Sequence, residues 1–287
     1  MKIGTTLKNL RTGKNITRQN LVKGIMSVNH YYKVEKNENN LSVDKCIKIL
    51  SRLNVTFDEF LFIANDYKNN SKKLVGDTAI NLYYSGQNTQ EELQELQEKC
   101  IELFKKTDDV YYQHHSILIS TMTNNLQLTK QEIDILINYF FKVDNYGLYE
   151  IKMFTNFAYL FDSDILVILS NNILEKFLKF EAFEETNKDY VFFLLNLINV
   201  FHTRAETDLA YRFIELAENQ IKNSTDFFSL TVLKYHQGIN KIQTKNFSGK
   251  ELVEEALLIF KKLHNNFYTL YKKEYEDYLD LYKQPYS

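Results

Sequence analysis

The sequence predicts an all-α protein, a head of short helices followed by a long array of longer ones. Three observations carry that reading. Turn residues are scarce: the 287 residues hold eight Gly and one Pro, Pro285. A β-sandwich or barrel needs a turn roughly every 8–12 residues, drawn largely from Gly, Pro and Asn, so an all-β fold is largely excluded. Helix-start signatures recur, with Ser or Thr followed three residues later by Glu at Thr56/Glu59, Thr89/Glu92, Thr129/Glu132 and Ser248/Glu251. Finally, the charge is divided. Residues 1–65 carry eleven Lys/Arg and five Asp/Glu, while the remaining 222 carry 24 and 32.

Bulk composition closes off several classes. With 44% hydrophobic and 25% charged residues the chain is globular rather than disordered. Cys46 and Cys100 are too few for a disulfide framework, and no Cys/His spacing suits zinc. The most apolar window, Val191–Phe201, is eleven residues long and interrupted by Asn196 and Asn199, whereas a membrane helix needs about 20. The opening MKIGTTLKNLRTGK lacks the apolar run of a signal peptide. These features predict a cytoplasmic chain without metal, cofactor or membrane partner.

The head divides into five short segments. Ile3, Leu7 and Leu10 recur at helical spacing, with Arg11 near the end of that helix. Thr17 caps a second helix containing Leu21 and Val22, and Gly24 breaks the chain. Ser27 opens a third through Tyr31, Val34 and Glu35, stopped by KNENN at Lys36–Asn40. Ser42 opens a fourth with Ile47, Leu50 and Leu53 on one face, and Thr56 a fifth carrying Phe57, Phe60 and Leu61. Two short helices joined by a tight turn form a helix-turn-helix, whose second helix enters the major groove with its first residues at base edges. Those residues are Ser27, Val28, Asn29 and His30. An Asn amide matches adenine and an apolar side chain a thymine methyl. Lys33, one turn on, suits phosphate, and Thr17 and Arg18 at the start of the second helix complete the expected DNA-binding set. The plainer alternative makes Asn29 and His30 exposed residues of a surface helix.

The stretch from Ile3 to Phe60, with GIMSVNHYYKVEKN at its centre, resembles the DNA-binding head of the Xre-type repressors, and among these the Rgg and PrgX group of pheromone-responsive regulators. The resemblance implies that Arg11 and Glu35 form a structural salt bridge between the first helix and the recognition helix. LNVTFDEF, Leu53–Phe60, is similar to that family's fifth helix. Two departures stand out: the turn glycine commonly falls one residue later, where this chain has Ile25, and the basic residue after the helix-opening serine is here Val28.

From Asp66 the pattern is helix after helix, at roughly 67–85, 89–106, 109–123, 129–142, 147–161, 163–180, 187–203, 205–222, 225–243, 249–265 and 267–283. Asn and Asp stand at many of the breaks, including Asn124–Asn125, Asp144–Asn145, Asp162, Asn223 and Asn246. Paired units start near 89, 129, 163, 205 and 249, an interval of about 40 residues that fits TPR-like helical hairpins. Such arrays form a superhelix with a concave face suited to extended peptides. The expected division is 1–65 for DNA binding and 66–287 for peptide sensing and dimerisation. An Asn inside an apolar helix needs a partner, and its amide pairs with a peptide backbone in both directions. Asn196 and Asn199, and Asn156 with Tyr159 one turn on, are therefore candidate peptide contacts, or bonds between neighbouring repeats. Arg204 and Arg212 are candidate carboxylate contacts or solvated surface.

Enzymatic signatures are absent: HExxH, GxSxG, GxxxxGK[ST] and GxGxxG do not occur. Adjacent His114 and His115 point about 100° apart on a helix and make a poor ligand pair. The sequence thus predicts a non-enzymatic protein that binds double-stranded DNA at two half-sites as a homodimer, and the resemblance to the Rgg and PrgX group implies a transcriptional regulator that senses a short hydrophobic signalling peptide. The alternative is a helical-repeat interaction scaffold or antagonist that does not touch DNA.

Overall fold

The computed structural model describes residues 2–69, 71–85, 90–124, 127–179, 184–222 and 225–283. All regular structure among them is helical. The chain forms two compact units, Met1–Ile80 and Asn81–Ser287.

In the first unit, α1 (Ile3–Gly13), α2 (Arg18–Val22), α3 (Val28–Glu35), α4 (Val43–Leu53) and α5 (Phe57–Ala64) surround a core of Leu7, Leu21, Val22, Tyr31, Val34, Ile49, Leu50, Leu53 and Phe60. Side chains at three helix starts satisfy free backbone N–H groups. The Thr17 hydroxyl accepts from Asn20 N (3.2 Å), Ser27 from His30 N (3.2 Å) and Thr56 from Glu59 N (3.1 Å). Ser42 makes no such bond. Ile47, expected inside, is 55% exposed; Cys46 and Ile49 face the core instead. Gly24 turns the chain between α2 and α3 at φ 73°, where a side chain would be strained. Elsewhere Asn replaces Gly as the left-handed residue: Asn15, Asn37 and Asn54 have φ of 55°, 61° and 51°. This explains how so few glycines suffice.

The next helix, α6 (Ser71–Ser85), starts later than the pattern suggests, because Asp66 and Tyr67 both take positive φ, 53° and 57°. The division between the two units falls within it. There follow α7 (Gln90–Thr107), α8 (Val110–Thr123), α9 (Lys130–Lys142), α10 (Leu148–Phe157), α11 (Ser163–Lys179), α12 (Glu184–Thr203), α13 (Thr207–Ile221), α14 (Phe227–Gln243), α15 (Gly249–Leu263) and α16 (Asn265–Lys283). The segment expected at 147–161 ends its α-helix at Phe157 and finishes as a 3-10 turn, Ala158–Leu160. Thr129 and Glu132 form a complete capping box. Ser248 does not cap α15 through its side chain. Thr89, Asn125 and Asn223 lie outside the described residues.

Helices pair as hairpins α7–α8, α12–α13 and α14–α15, and α10, α12 and α14 pack side by side as one layer. The main core is aromatic, with Phe140, Phe154, Phe157, Phe193, Phe201 and Phe213 all 0–1% exposed. In the α14–α15 hairpin, a Cβ on Gly249 would collide with the Gly238 carbonyl oxygen, so the two glycines let the backbones meet. A second cluster around Tyr235, Ile239, Val253, Tyr275 and Tyr278 joins α14, α15 and α16. Side-chain bonds repeat at one spacing. Arg204 donates to Ser163 Oγ, Arg212 to Asn171 Oδ1, and His202 pairs with Gln243, each 41 residues away. That interval matches helical-hairpin repeats of about 40 residues.

Candidate nucleic-acid interface and repeat surface

The N-cap at Ser27 fixes the direction of α3, and Tyr31, Val34 and Glu35 bury one side of it. What remains outside is a polar and aromatic stripe. Ser27, Val28, Asn29, Tyr32 and Lys33 are exposed and His30 is half-buried. Asn29 and Lys33, one turn apart, share this face. Thr17 is exposed at the cap of α2, and Arg18 beside it is half-buried.

Behind the stripe lies a buried ion cluster. Arg11 Nε donates to Glu35 Oε1 at 2.6 Å and its Nη2 to Oε2 at 3.2 Å. Arg11 Nη1 donates to the Ile16 carbonyl at 2.8 Å. Arg18, grouped by the sequence with the DNA contacts, also donates its Nε to Glu35 Oε2 at 2.6 Å. Burial alone would raise the Glu35 carboxyl, but hydrogen bonds from the two guanidinium groups outweigh it and hold the pKa below the usual carboxylate range. The Glu35 hydrogen bond also raises Arg11. The cluster ties α1, the start of α2 and the end of α3 together, and so sets how α3 is presented.

In the second unit, Lys152 on α10 pairs with Asp189 on α12 at 3.0 Å, which places the outer faces of these helices side by side. Asn156, one turn beyond Lys152, and Asn196, two turns beyond Asp189, are both exposed. Asn196 Nδ2 bonds its own helix at the Phe192 carbonyl (2.8 Å), leaving Oδ1 outward. Asn199 is turned away, half-buried, and accepts from the Tyr278 hydroxyl at 3.0 Å. Tyr159 sits in the 3-10 turn. Its carbonyl accepts from Arg204 Nη2 at 3.1 Å, while its hydroxyl is buried with no hydrogen-bond partner among the described residues. Arg204 binds the Phe161 carbonyl as well (2.6 Å). Both body arginines therefore join successive repeats.

Four histidines are buried in this unit, and Glu274 is half-buried. His114 bonds the Tyr149 hydroxyl through Nδ1 at 2.8 Å, and His115 the Tyr111 carbonyl at 2.8 Å, so the adjacent pair diverges. Burial, with His115 beside it, lowers His114 to about 4. His202 and His236 stack at 5.5 Å between ring centroids. Burial lowers His202 to about 4 against the hydrogen bond it shares with Gln243, and lowers His236 well below its ordinary value. Burial among tyrosines raises Glu274 to about 7. Among the described residues no group of three or more His, Cys, Asp and Glu could hold a metal ion, and no helix is long and apolar enough to cross a membrane.

A helix-turn-helix family profile matches residues 7–60, the segment that presents α3. With the helical-repeat body, this defines an HTH-type transcriptional regulator with a DNA-binding head. Residues 90–273 match the profile of the C-terminal domain of HTH-type transcriptional regulator Rgg, and the chain belongs to the Rgg family. Solved structures share its fold along the whole length. The Streptococcus dysgalactiae SHP pheromone receptor Rgg2 is 23% identical with a TM-score of 0.74, covering 96% of this chain and 99% of that one. The PrgX/iCF10 complex is 16% identical with a TM-score of 0.73, covering 100% and 99%. A Listeria monocytogenes EGD-e chain described as a transcriptional regulator, 20% identical, reaches a TM-score of 0.82 and covers 99% of both chains.

Proposed function

We propose that this Rgg-family regulator is a peptide-responsive switch: its head reads an operator as a homodimer, and its repeat body binds a short hydrophobic signalling peptide. The observation that carries the peptide reading is the shared outer face of α10 and α12, where Asn156 and Asn196 stand exposed beside the Lys152–Asp189 pair. Their amides suit an extended peptide backbone. Similar folds include a protein described as a pheromone receptor and another described as a pheromone/receptor complex, which supports the same reading. Of the other two proposed contacts, Asn199 would have to give up its bond from the Tyr278 hydroxyl and Tyr159 to turn out its buried hydroxyl before either could meet the peptide.

On the DNA side the proposed contacts are Thr17, Arg18, Ser27, Val28, Asn29, His30 and Lys33, with Arg11 and Glu35 as the tie behind them. One short recognition helix reads few bases, so a dimer on two half-sites about one helical turn apart follows. The peptide acts by binding one dimer conformation better than another. Residues 1–65 serve as the reading part and 66–287 as the sensing part, in the cytoplasm, without an enzymatic step.

A duplex recovered by the full-length protein from a randomised pool tests the head. Asn29→Ala with Lys33→Ala should abolish preference for that duplex and flatten the salt dependence by about one phosphate contact. Unchanged preference and slope would refute the assignment and favour the scaffold alternative.

A further inference from the structure

We propose that Tyr32 is a positioning residue of the reading head, holding Arg18 and Lys36 as a two-cation contact for a DNA backbone phosphate. The inference rests on the reading that α3 faces duplex DNA, and adds Tyr32 and Lys36 to the contacts expected from sequence.

Tyr32 lies on α3 one turn after Val28 and one turn before Lys36, in the middle of the exposed stripe. The residue is 38% exposed. A cation stands close to the ring on each of two helical segments. Arg18 Cζ lies 4.9 Å from the centroid and Lys36 Nζ 4.5 Å from it. Bringing two like charges to one ring costs Coulomb energy, which the ring quadrupole offsets only in part.

The rest of the neighbourhood does not neutralise them. Glu35 is the buried carboxylate there, and it already serves Arg11 as well as Arg18. Glu38 reaches Lys36 only at 3.9 Å, between two half-exposed side chains. Arg11, Arg18 and Lys36 against Glu35 and this loose partner leave an excess of positive charge at the surface. Arg18 is fixed at two points, by its Nε bond to Glu35 and by the Tyr32 ring. Its two Nη nitrogens make no hydrogen bond among the described residues. A planar guanidinium held at two points, with its side chain one third exposed, matches a phosphate oxygen pair. Holding it in advance lowers the ordering cost on binding. The Tyr32 hydroxyl also hydrogen-bonds Lys36, but the ring face alone holds Arg18 and keeps a cation–π contact to Lys36 when the hydroxyl is removed.

The test uses the full-length protein and the duplex recovered from the randomised pool, with anisotropy titrations at several KCl concentrations. Arg18→Ala should weaken binding about tenfold and flatten the salt slope by about one. Tyr32→Ala should reproduce most of that loss, and Tyr32→Phe should retain wild-type affinity and slope. The double variant Arg18→Ala/Tyr32→Ala should lose clearly less than the product of the two single losses, because Tyr32 acts in part through Arg18 and otherwise through Lys36. Tyr32→Leu, which keeps apolar bulk without the ring, should behave like Tyr32→Ala with an unchanged melting temperature, separating the effect from folding. Wild-type slope in both Tyr32→Ala and Tyr32→Leu would overturn the inference. So would losses that multiply in the double variant, or a Tyr32→Phe as weak as Tyr32→Ala. If no duplex is enriched by the wild-type protein, the reading of the head fails, and this inference with it.

Discussion

The two units bury ionisable groups in opposite ways. The first keeps a charge inside and pairs it: the Glu35 side chain is 1% exposed and takes hydrogen bonds from both Arg11 and Arg18. The second buries histidines and holds them neutral, and it favours the protonated form of the half-buried Glu274. His114, His202 and His236 are 1–2% exposed and lowered by burial, and Glu274 is raised by it. A paired charge fixes geometry, because every partner must stay in place to repay desolvation. A buried neutral polar group that loses its partner costs less than a buried charge that does. The difference suits a head that presents one fixed surface and a body that changes conformation with a ligand.

The largest expected effect comes from breaking the paired charge. Glu35→Ala leaves Arg11 buried without a counter-ion and should destabilise the head by about 3–5 kcal/mol. A urea titration followed by circular dichroism should show this loss in the head, with the larger helical signal of the body retained. Next comes the close helix approach in the body. Gly249→Val would press a branched side chain against Gly238 and Lys241 and should cost about 2–3 kcal/mol as overpacking, read as a lower melting temperature.

The uncharged interior predicts a pH dependence. The folded-state pKa values of His114, His202 and His236 lie below the ordinary 6.5. Their contribution is therefore fully present above about pH 6.5 and is lost as the pH falls below it, for His114 and His202 down to about 4. Glu274 has the opposite sign: its raised pKa gives stability that is present below about 4.5 and lost as the pH rises through about 7. Glu274→Gln should accordingly raise the melting temperature at pH 8 relative to the wild type. A melting profile flat from pH 8 to 5 would erase the contrast between the units. The smallest effect is expected at the turn. Gly24→Ala, with φ at 73° and open space around it, should cost about 1 kcal/mol from backbone strain alone.

Helix order was legible because it rests on local signals. Thr17, Ser27, Thr56 and Thr129 cap helices through bonds three residues away, and such spacings are visible in a string of letters. The break made by left-handed Asp66 and Tyr67 was not, since Asp tolerates that φ but a bulky Tyr rarely takes it. Tertiary partners were hidden too. Arg18 reaches Glu35 across seventeen residues, and His202 meets His236 only when α12 lies against α14. Asn196 and Asn199 look like one face because they are a turn apart. Three residues on a helix still leave roughly 60° between them, enough to send Asn199 to Tyr278 on α16 while Asn196 stays outside. Tyr32 could have been found from its spacing with Val28 and Lys36, but the two cations at its ring come from the fold.

The division of labour between the units is tested most directly by hydrogen–deuterium exchange on the full-length protein with each ligand in turn. The recovered duplex should slow exchange around residues 17–36, and a pooled library of short apolar synthetic peptides should slow it in α10 and α12, around Asn156 and Asn196. Peptide protection confined to the head, or no peptide protection at all while the duplex protects α3, would contradict a regulator that reads DNA with one unit and its signal with the other.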